Sequence, residues 1–417
     1  MDRRNFIATA GLAGLVSTIS LRATARGREA TGEFTDLAAS AIPISPDERK
    51  ARITRAAALM RAHNIDAVLV EAGSSMVYFT GVQWWRSERL TGAVMTREGA
   101  IAIVTPFFEE PSVRETLGVE AQVLTWNEDE NPLAILGTWL TQQGLGKGRI
   151  GIEETVRYFA VDRLQHALPR ASIVNADAVV RGCRMIKSPA ELALMQTATD
   201  ITMAAYRHVY PRIEAGMSPQ DIGGMINAAT TQMGGSPEFA LVLLGEASAY
   251  PHGSHQKQEV REGSVVLLDC GCAVHGYQSD ISRSFVFGEA TPKQCLVWNQ
   301  MRKGQEIAFE TAQIGTDAGK VDDAVRAYYR TLGYGPGYKL PGTSHRTGHG
   351  IGLDGHEPVN LVHGETTKLA PGMCFSDEPG IYIPGEFGIR IEDCFHMTDS
   401  GPRWFSTPPS SLDDPIG

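Results

Sequence analysis

Nowhere does the 417-residue chain hold an apolar run near the roughly 20 residues that a membrane span needs, which excludes a spanning helix. Positive charge is also short. The 38 Lys and Arg stand against 48 Asp and Glu, a formal net charge of −10. Phosphate-rich partners are held by clustered Lys and Arg, so this balance argues against a nucleic-acid partner. Cysteine is scarce and unpatterned. The six residues Cys183, Cys270, Cys272, Cys295, Cys374 and Cys394 match neither the spacing of a paired zinc site nor that of a small disulfide scaffold. They read as small buried packing residues. What remains is ordinary for a globular protein, 42% hydrophobic and 21% charged, with length enough for two separate cores.

The first 25 residues read as a targeting segment. Arg3 and Arg4 are paired, a modest apolar stretch rich in Gly, Ala and Thr follows, and Ala23-Thr24-Ala25 offers a small-residue cleavage site. This is the pattern of a twin-arginine export signal, and it predicts a periplasmic or otherwise exported protein. The alternative is a basic terminus retained on a cytoplasmic enzyme. Residues 26–44, small and polar, are expected to form a flexible leader.

Two domains follow. Ser45-Pro46-Asp47-Glu48 has the form of a capping box with Pro at the first helical position. The helix it opens carries Ile53, Ala56, Ala57 and Met60 on one face. Strands are expected at 65–72, 121–126, 149–154 and 171–177, a hairpin at 93–106 turning at Arg97-Glu98-Gly99, and helices at 132–143 and 157–168. Residues 45–180 are therefore an α/β domain. Within it, residues 77–90 read as a loop carrying Trp84, Trp85, Arg86 and Arg89, either a binding surface or a partly buried dimer contact. A compositional break at Arg181–Lys187 precedes a second capping box, Ser188-Pro189-Ala190-Glu191. Residues 186–407 read as an α+β domain, a curved antiparallel sheet covered by a long helix opened at Ser188, with Leu192, Met195, Ala198 and Ile201 along one face, and by helices near 218–232, 292–311 and 317–332. Residues 408–417 form a tail.

The chemistry concentrates in that second domain. Two apolar strands flank a turn placed at Val274-His275, and each carries one acid, Asp269 and Asp280. Symmetry about that turn makes them cross-strand partners about 5 Å apart. Such a pair repels unless a cation lies between its members, while a solvated hairpin with two surface acids would look the same. A second hairpin, turning at Pro384-Gly385-Glu386, pairs Glu378 with Glu392 by the same symmetry. Between the two hairpins lies His349, among Gly348, Gly350 and Gly352, which leave its ring accessible. Four carboxylates and one imidazole suit two divalent ions, manganese first, with cobalt, iron or zinc also compatible.

In order, spacing and wording, Asp269, Asp280, His349, Glu378 and Glu392 resemble the five metal ligands of the pita-bread metallopeptidases, the group of prolidase, aminopeptidase P and methionine aminopeptidase. The stretches TGHGIGL, EPGIY and IRIED are similar to the prolidase and aminopeptidase P branch. The resemblance spans about residues 46–405 and implies an α/β creatinase-like first domain followed by an α+β pita-bread catalytic domain. One departure is Ser75, which stands where that branch carries Asn near VYFTG. The resemblance further implies that His252 binds substrate, that His356 supports a tetrahedral intermediate, that His345 belongs to the active site, and that Arg390 neutralises part of the acid cluster. Asp280 is expected to bridge both ions.

The activity implied is metal-assisted hydrolysis of an amide bond by a bridging hydroxide, with Glu378 shuttling the proton to the leaving nitrogen. The substrate is a small peptide of the Xaa-Pro type or a small-molecule amide, and the assembly a homodimer whose neighbouring first domain closes the cleft. Creatinase shares the fold but lacks these ligands. A relative that cleaves dimethylsulfoniopropionate as a lyase has a metal site of the same type, so a lyase or non-peptide amidohydrolase stands as the alternative. A non-catalytic binding protein on this fold is a third reading, and retention of all five ligands argues against it.

Overall fold

The computed structural model describes residues 34–417; the signal segment expected over residues 1–25 lies outside the described residues. The first part of the fold runs α1 (Pro46–Ala62), β1 (Ala67–Glu71), α2 (Ser74–Thr80), β2 (Gly92–Thr96), β3 (Ile101–Pro106), α3 (Glu110–Thr116), β4 (Gln122–Trp126), α4 (Pro132–Gln142), β5 (Arg149–Ile152), α5 (Tyr158–Ala167), β6 (Ser172–Asn175) and α6 (Asp177–Arg184). Its six strands are ordered β4-β3-β2-β1-β5-β6, with β1 antiparallel to β2 and parallel to β5. Such strands are buried on both faces and read as nearly continuous apolar runs, as Ala67–Val70 and Ile101–Val104 do. Leu69, Val94, Trp126, Leu136 and Ile150 form the core beneath them.

The second part runs α7 (Pro189–Val209), α8 (Pro219–Gln232), β7 (Ser236–Leu244), β8 (Val265–Val274), β9 (Tyr277–Gln278), β10 (Ile281–Val286), α9 (Pro292–Thr311), α10 (Ala318–Thr331), β11 (Gly348–Gly350), β12 (Glu357–Leu361), β13 (Cys374–Asp377), β14 (Ile381–Ile383), β15 (Phe387–Ile389), β16 (Asp393–Thr398) and β17 (Gly401–Trp404). One sheet is ordered β10-β8-β7 and another β12-β11-β13-β16-β17, with β14–β15 a separate hairpin. Helices α9 and α10 cover the second sheet, burying Trp298, Met301, Val325 and Tyr329 against Phe375, Ile389 and Phe395. Both parts lie in one packed unit, Asp36–Gly417.

Helix starts follow their caps. At Ser188 both halves of the capping box form, and Pro189 takes the first helical position of α7. At Ser45 only half forms. Ser45 Oγ accepts from Glu48 N (3.1 Å), while the Glu48 carboxylate turns to Arg52 and Ser188 instead of back to the cap. Three short helices depart from the sequence reading, α3 in a stretch it left unassigned. Helix α2 reaches into the supposed loop, held between Gly73 and a left-handed Gly81, and α6 occupies the supposed domain break. The end of the expected leader is also built in, since Leu37 N donates to Met233 O (2.9 Å) and Ile44 is buried. The tail is anchored likewise: Ile416 is buried, and its carbonyl accepts from Arg283 Nε (3.0 Å). All six cysteines are unpaired and five are buried.

Candidate metal centre

Asp269 lies on β8 and Asp280 just before β10. Their hairpin turns at His275-Gly276, both residues at positive φ (48° and 86°), one position later than the symmetry argument placed it. Positive φ at both central residues gives the two-residue turn whose twist suits a hairpin, and Gly276 was the overlooked signal. Asp269 is therefore opposite Ser282 rather than Asp280. The error is two residues along a strand of period two, so Asp280 still shares the face of Asp269, diagonally instead of directly across.

Ser282 in turn exchanges backbone hydrogen bonds with Glu392 (3.2 and 3.0 Å), which stitches the two sheets together. The second hairpin turns at the expected place. Ile383 faces Phe387, Ile381 faces Ile389, and farther out Asp377 faces Asp393. That register sets Glu378 across from Glu392. Asp269, Ser282, Glu392 and Glu378 thus form a row across the sheets. His349 sits on β11 beside β13. Its N–H donates to Ser376 Oγ (3.0 Å), and its Nδ1 lies 3.1 Å from Gly350 O. This leaves Nε2 facing Glu378 Oε1 at 3.2 Å and Asp280 Oδ2 at 3.8 Å. The neighbouring glycines do not expose this ring, which is 1% accessible. They let strands close: a Cβ on Gly348 would fall 2.1 Å from Ser376 O.

Among the described residues, three sets of donor atoms each lie within 4.8 Å: Asp280, His349 and His356; His349, Glu378 and Glu392; Asp269, Asp280 and Glu392. Asp280 and Glu392 are the carboxylates shared between sets. Burial, reinforced by Asp269, pushes the Asp280 carboxyl well above its usual range, and burial followed by Asp280 does the same to Glu392. Burial raises Asp269 as well, against the opposing Arg390 charge. Burial would also raise Glu378, but the hydrogen bond and charge of His349 hold it below the usual carboxylate range. Asp269 Oδ1 and Glu392 Oε1 are buried without any hydrogen-bond partner. Unmatched carboxylate oxygens this close are costly unless a cation satisfies them, so the donor set fits hard or borderline divalent ions.

The other singled-out residues gather around these. A cavity of 690 Å³ is lined by His252, His345, His356 and Arg390 together with all five acid and imidazole donors. Arg390 pairs with Asp269 and donates from Nε to Ser282 Oγ (2.9 Å), which itself donates to Glu392 Oε2 (2.7 Å). His345 Nε2 lies 2.7 Å from Tyr382 OH, and burial lowers its pKa. His356 stands edge to face with His349, ring centroids 4.1 Å apart, and burial and then the His349 charge bring its pKa down to about 4. Ser282 and Tyr382 escaped the sequence reading; Ser282 sits two residues beyond Asp280 on the same face, a signal the correct register would have supplied. Phe239 and Leu241 add an apolar wall. A larger cavity of 780 Å³ between α8 and β7 brings together no such donor set.

The profile described as "Metallopeptidase family M24" matches residues 193–399, and that of the "Creatinase/Prolidase N-terminal domain" matches residues 52–186. An uncharacterized peptidase of Schizosaccharomyces pombe is 33% identical over 380 residues, covering 86% of this chain and 81% of its own. The chain belongs to metallopeptidase family M24. It is a metal-dependent peptidase hydrolase with a creatinase-like first domain and a pita-bread second domain. Among other relatives, the Xaa-Pro dipeptidase of Lactobacillus helveticus is 30% identical, covering 82% of this chain and 93% of its own. The crystal structure of dipeptidase PepE from Mycobacterium ulcerans superposes with a TM-score of 0.81 at 27% identity, covering 89% and 99% of the two chains.

Proposed function

We propose that this M24 peptidase hydrolyses the amide bond preceding proline in a small peptide, using two divalent ions held by Asp269, Asp280, His349, Glu378 and Glu392, manganese being the first choice. The observation that carries the reading is the row of buried carboxylates with two unmatched oxygens, facing one imidazole Nε2. The naming of relatives as Xaa-Pro dipeptidases supports the substrate class. When bound, such ions supply Lewis acidity and a water of lowered pKa, so that a nucleophile exists near neutral pH.

The chain's own groups do the rest. His356, its pKa about 4, is neutral at physiological pH and donates an N–H to the oxygen on which negative charge develops. Glu378 accepts the proton lost by the attacking water and passes it to the nitrogen as the carbon–nitrogen bond breaks. Arg390 fixes Asp269 directly and Glu392 through Ser282. His252, exposed beside the cavity, binds the substrate, and Phe239 and Leu241 offer the apolar surface a proline ring requires. The paired Arg3 and Arg4 support export by the twin-arginine route, and the exposed aromatic surface of the first domain supports a homodimer.

The test is turnover of metal-loaded protein on Xaa-Pro dipeptides, longer Xaa-Pro peptides and dimethylsulfoniopropionate. Metal-dependent release of proline or of an amino-terminal residue is expected. Release of acrylate without peptide hydrolysis would replace this reading with a lyase.

A further inference from the structure

Glu357 follows His356 directly, and its carboxylate is buried. It accepts from Arg184 Nη2 (2.6 Å) and Lys187 Nζ (2.9 Å), both on the segment that joins the two domains. Its Oε1 also accepts from the backbone of Leu353 (3.0 Å) and Asp354 (3.3 Å). The carboxylate thereby closes residues 353–357 into a compact loop with His356 on its exposed side. Asp354 ties that loop to the first domain. It accepts from Ser74 Oγ at the start of α2 and from Arg184 Nη2 (2.7 Å). Arg184 Nη1 donates to Ser75 Oγ (2.9 Å), which donates to Glu153 Oε1 (3.1 Å). From the opposite side, the Gln278 backbone and amide donate to Gly352 O (2.8 Å) and Leu353 O (3.2 Å), and the His349 ring stands against His356.

Two cavities, 310 and 240 Å³, flank this network, and Glu153, Thr155, Arg184 and Asp354 line both. Cavities of that size on its first-domain side leave the polar ties, rather than close packing, as the loop's link to that domain. A hydrogen-bond donor that must meet a developing oxyanion acts only within a narrow range of position.

We propose that Asp354, through Ser74 and Arg184, is a positioning residue for His356, so that the creatinase-like domain sets the orientation of a group in the peptidase site. This rests on the reading of His356 as the oxyanion donor. The Asp354 side chain is 46% exposed, so its loss leaves the fold intact, whereas Arg184 and Glu357 are too buried to make clean tests.

The experiment is a double-mutant cycle on full-length, metal-loaded enzyme with Asp354→Ala, His356→Ala and their combination. Asp354→Ala should lower kcat on the order of tenfold with KM and bound metal unchanged. In the His356→Ala background it should change nothing further. Ser74→Ala, which removes one of the two ties, should lose less, and Asp354→Asn, which keeps an acceptor for Ser74, should recover part of the rate. Full turnover in Asp354→Ala beside an impaired His356→Ala, or equal losses with and without His356, overturns the proposal alone. Full turnover in His356→Ala overturns the reading of His356 beneath it.

Discussion

Removing the Asp280 carboxylate takes a donor from two of the three overlapping sets at once, and removing the His349 imidazole does the same. Asp280→Ala and His349→Ala should each cut hydrolysis by more than about 100-fold and lower the metal measured by elemental analysis; full activity with metal retained would refute the assignment. Glu357 sets a different kind of expectation. Burial alone would raise its pKa, but Arg184 and Lys187 bring it down to about 2. A carboxyl held below its unfolded value adds stability above that unfolded value, about pH 4.5, and loses it as the pH falls toward 2. The drop amounts to about 3 kcal/mol. Denaturant unfolding between pH 5 and pH 2.5 should show it, and Glu357→Gln, already destabilised at pH 7, should show a smaller fall across that window. An identical acid limb in the two proteins would exclude the pairing as its source.

Helix α10 acts on the centre from behind. Its Asp322 is fully buried and saturated: Oδ1 accepts from Thr347 N (3.1 Å) and Thr347 Oγ1 (2.7 Å), Oδ2 from His363 N (3.1 Å) and Arg326 Nε (2.7 Å). Arg326 then donates to His345 O (2.7 Å). One helical turn thus fixes the segment that delivers His345 and His349. Asp322→Ala should cost about 2–4 kcal/mol by leaving two buried amides and a hydroxyl unpaired and taking the counter-ion from the part-buried Arg326 guanidinium. Metal affinity should fall by about 10- to 100-fold, as for other groups that orient a ligand. Metal titration and chemical unfolding check both, and unchanged affinity would show that the strands hold His349 unaided. The strands themselves were largely legible. Alternation and a central Gly385 placed Glu378 against Glu392 correctly. The first hairpin slipped by two residues because positive φ at His275 was not foreseen. Helix α2 was missed because Val77, Tyr78, Phe79 and Thr80 are residues that strands favour. The ties around Arg184 left no local trace at all, since its partners lie 170 and 173 residues away.

At the level of the assembled protein, the proposed centre has divalent ions offset the mutual repulsion of four buried or half-buried carboxylates. Chelation should lower the melting temperature by about 5 °C or more, and returning manganese, cobalt or zinc should restore it in a concentration-dependent way. A melting curve indifferent to chelator would sink the cation reading. The first domain also leaves Trp85 (89%), Tyr158 (80%), Phe107 and Phe108 exposed. The segments that carry Trp85, Tyr158 and Phe108 meet: Arg157 Nη1 reaches Ser87 O, and the Arg89 guanidinium stands 5.5 Å over the Phe108 ring. Aromatic surface of that kind marks an interface. Light scattering should give about twice the chain mass, and Trp85→Ala should shift it toward monomer; a monomeric wild type at working concentration would contradict the dimer.

The anchoring of Ile416 has a practical side. Arg283, with no exposed surface, spends its Nε on that carbonyl, its Nη1 on the carbonyls of Ser282 and Glu392, and its Nη2 on Asp393. Truncation before Ile416 would leave the Nε of this guanidinium without its acceptor, directly behind the strand that carries Ser282. Protein truncated after residue 415 should therefore lose bound ion before it loses its fold, and intact mass would be the quality check to run before any metal assay.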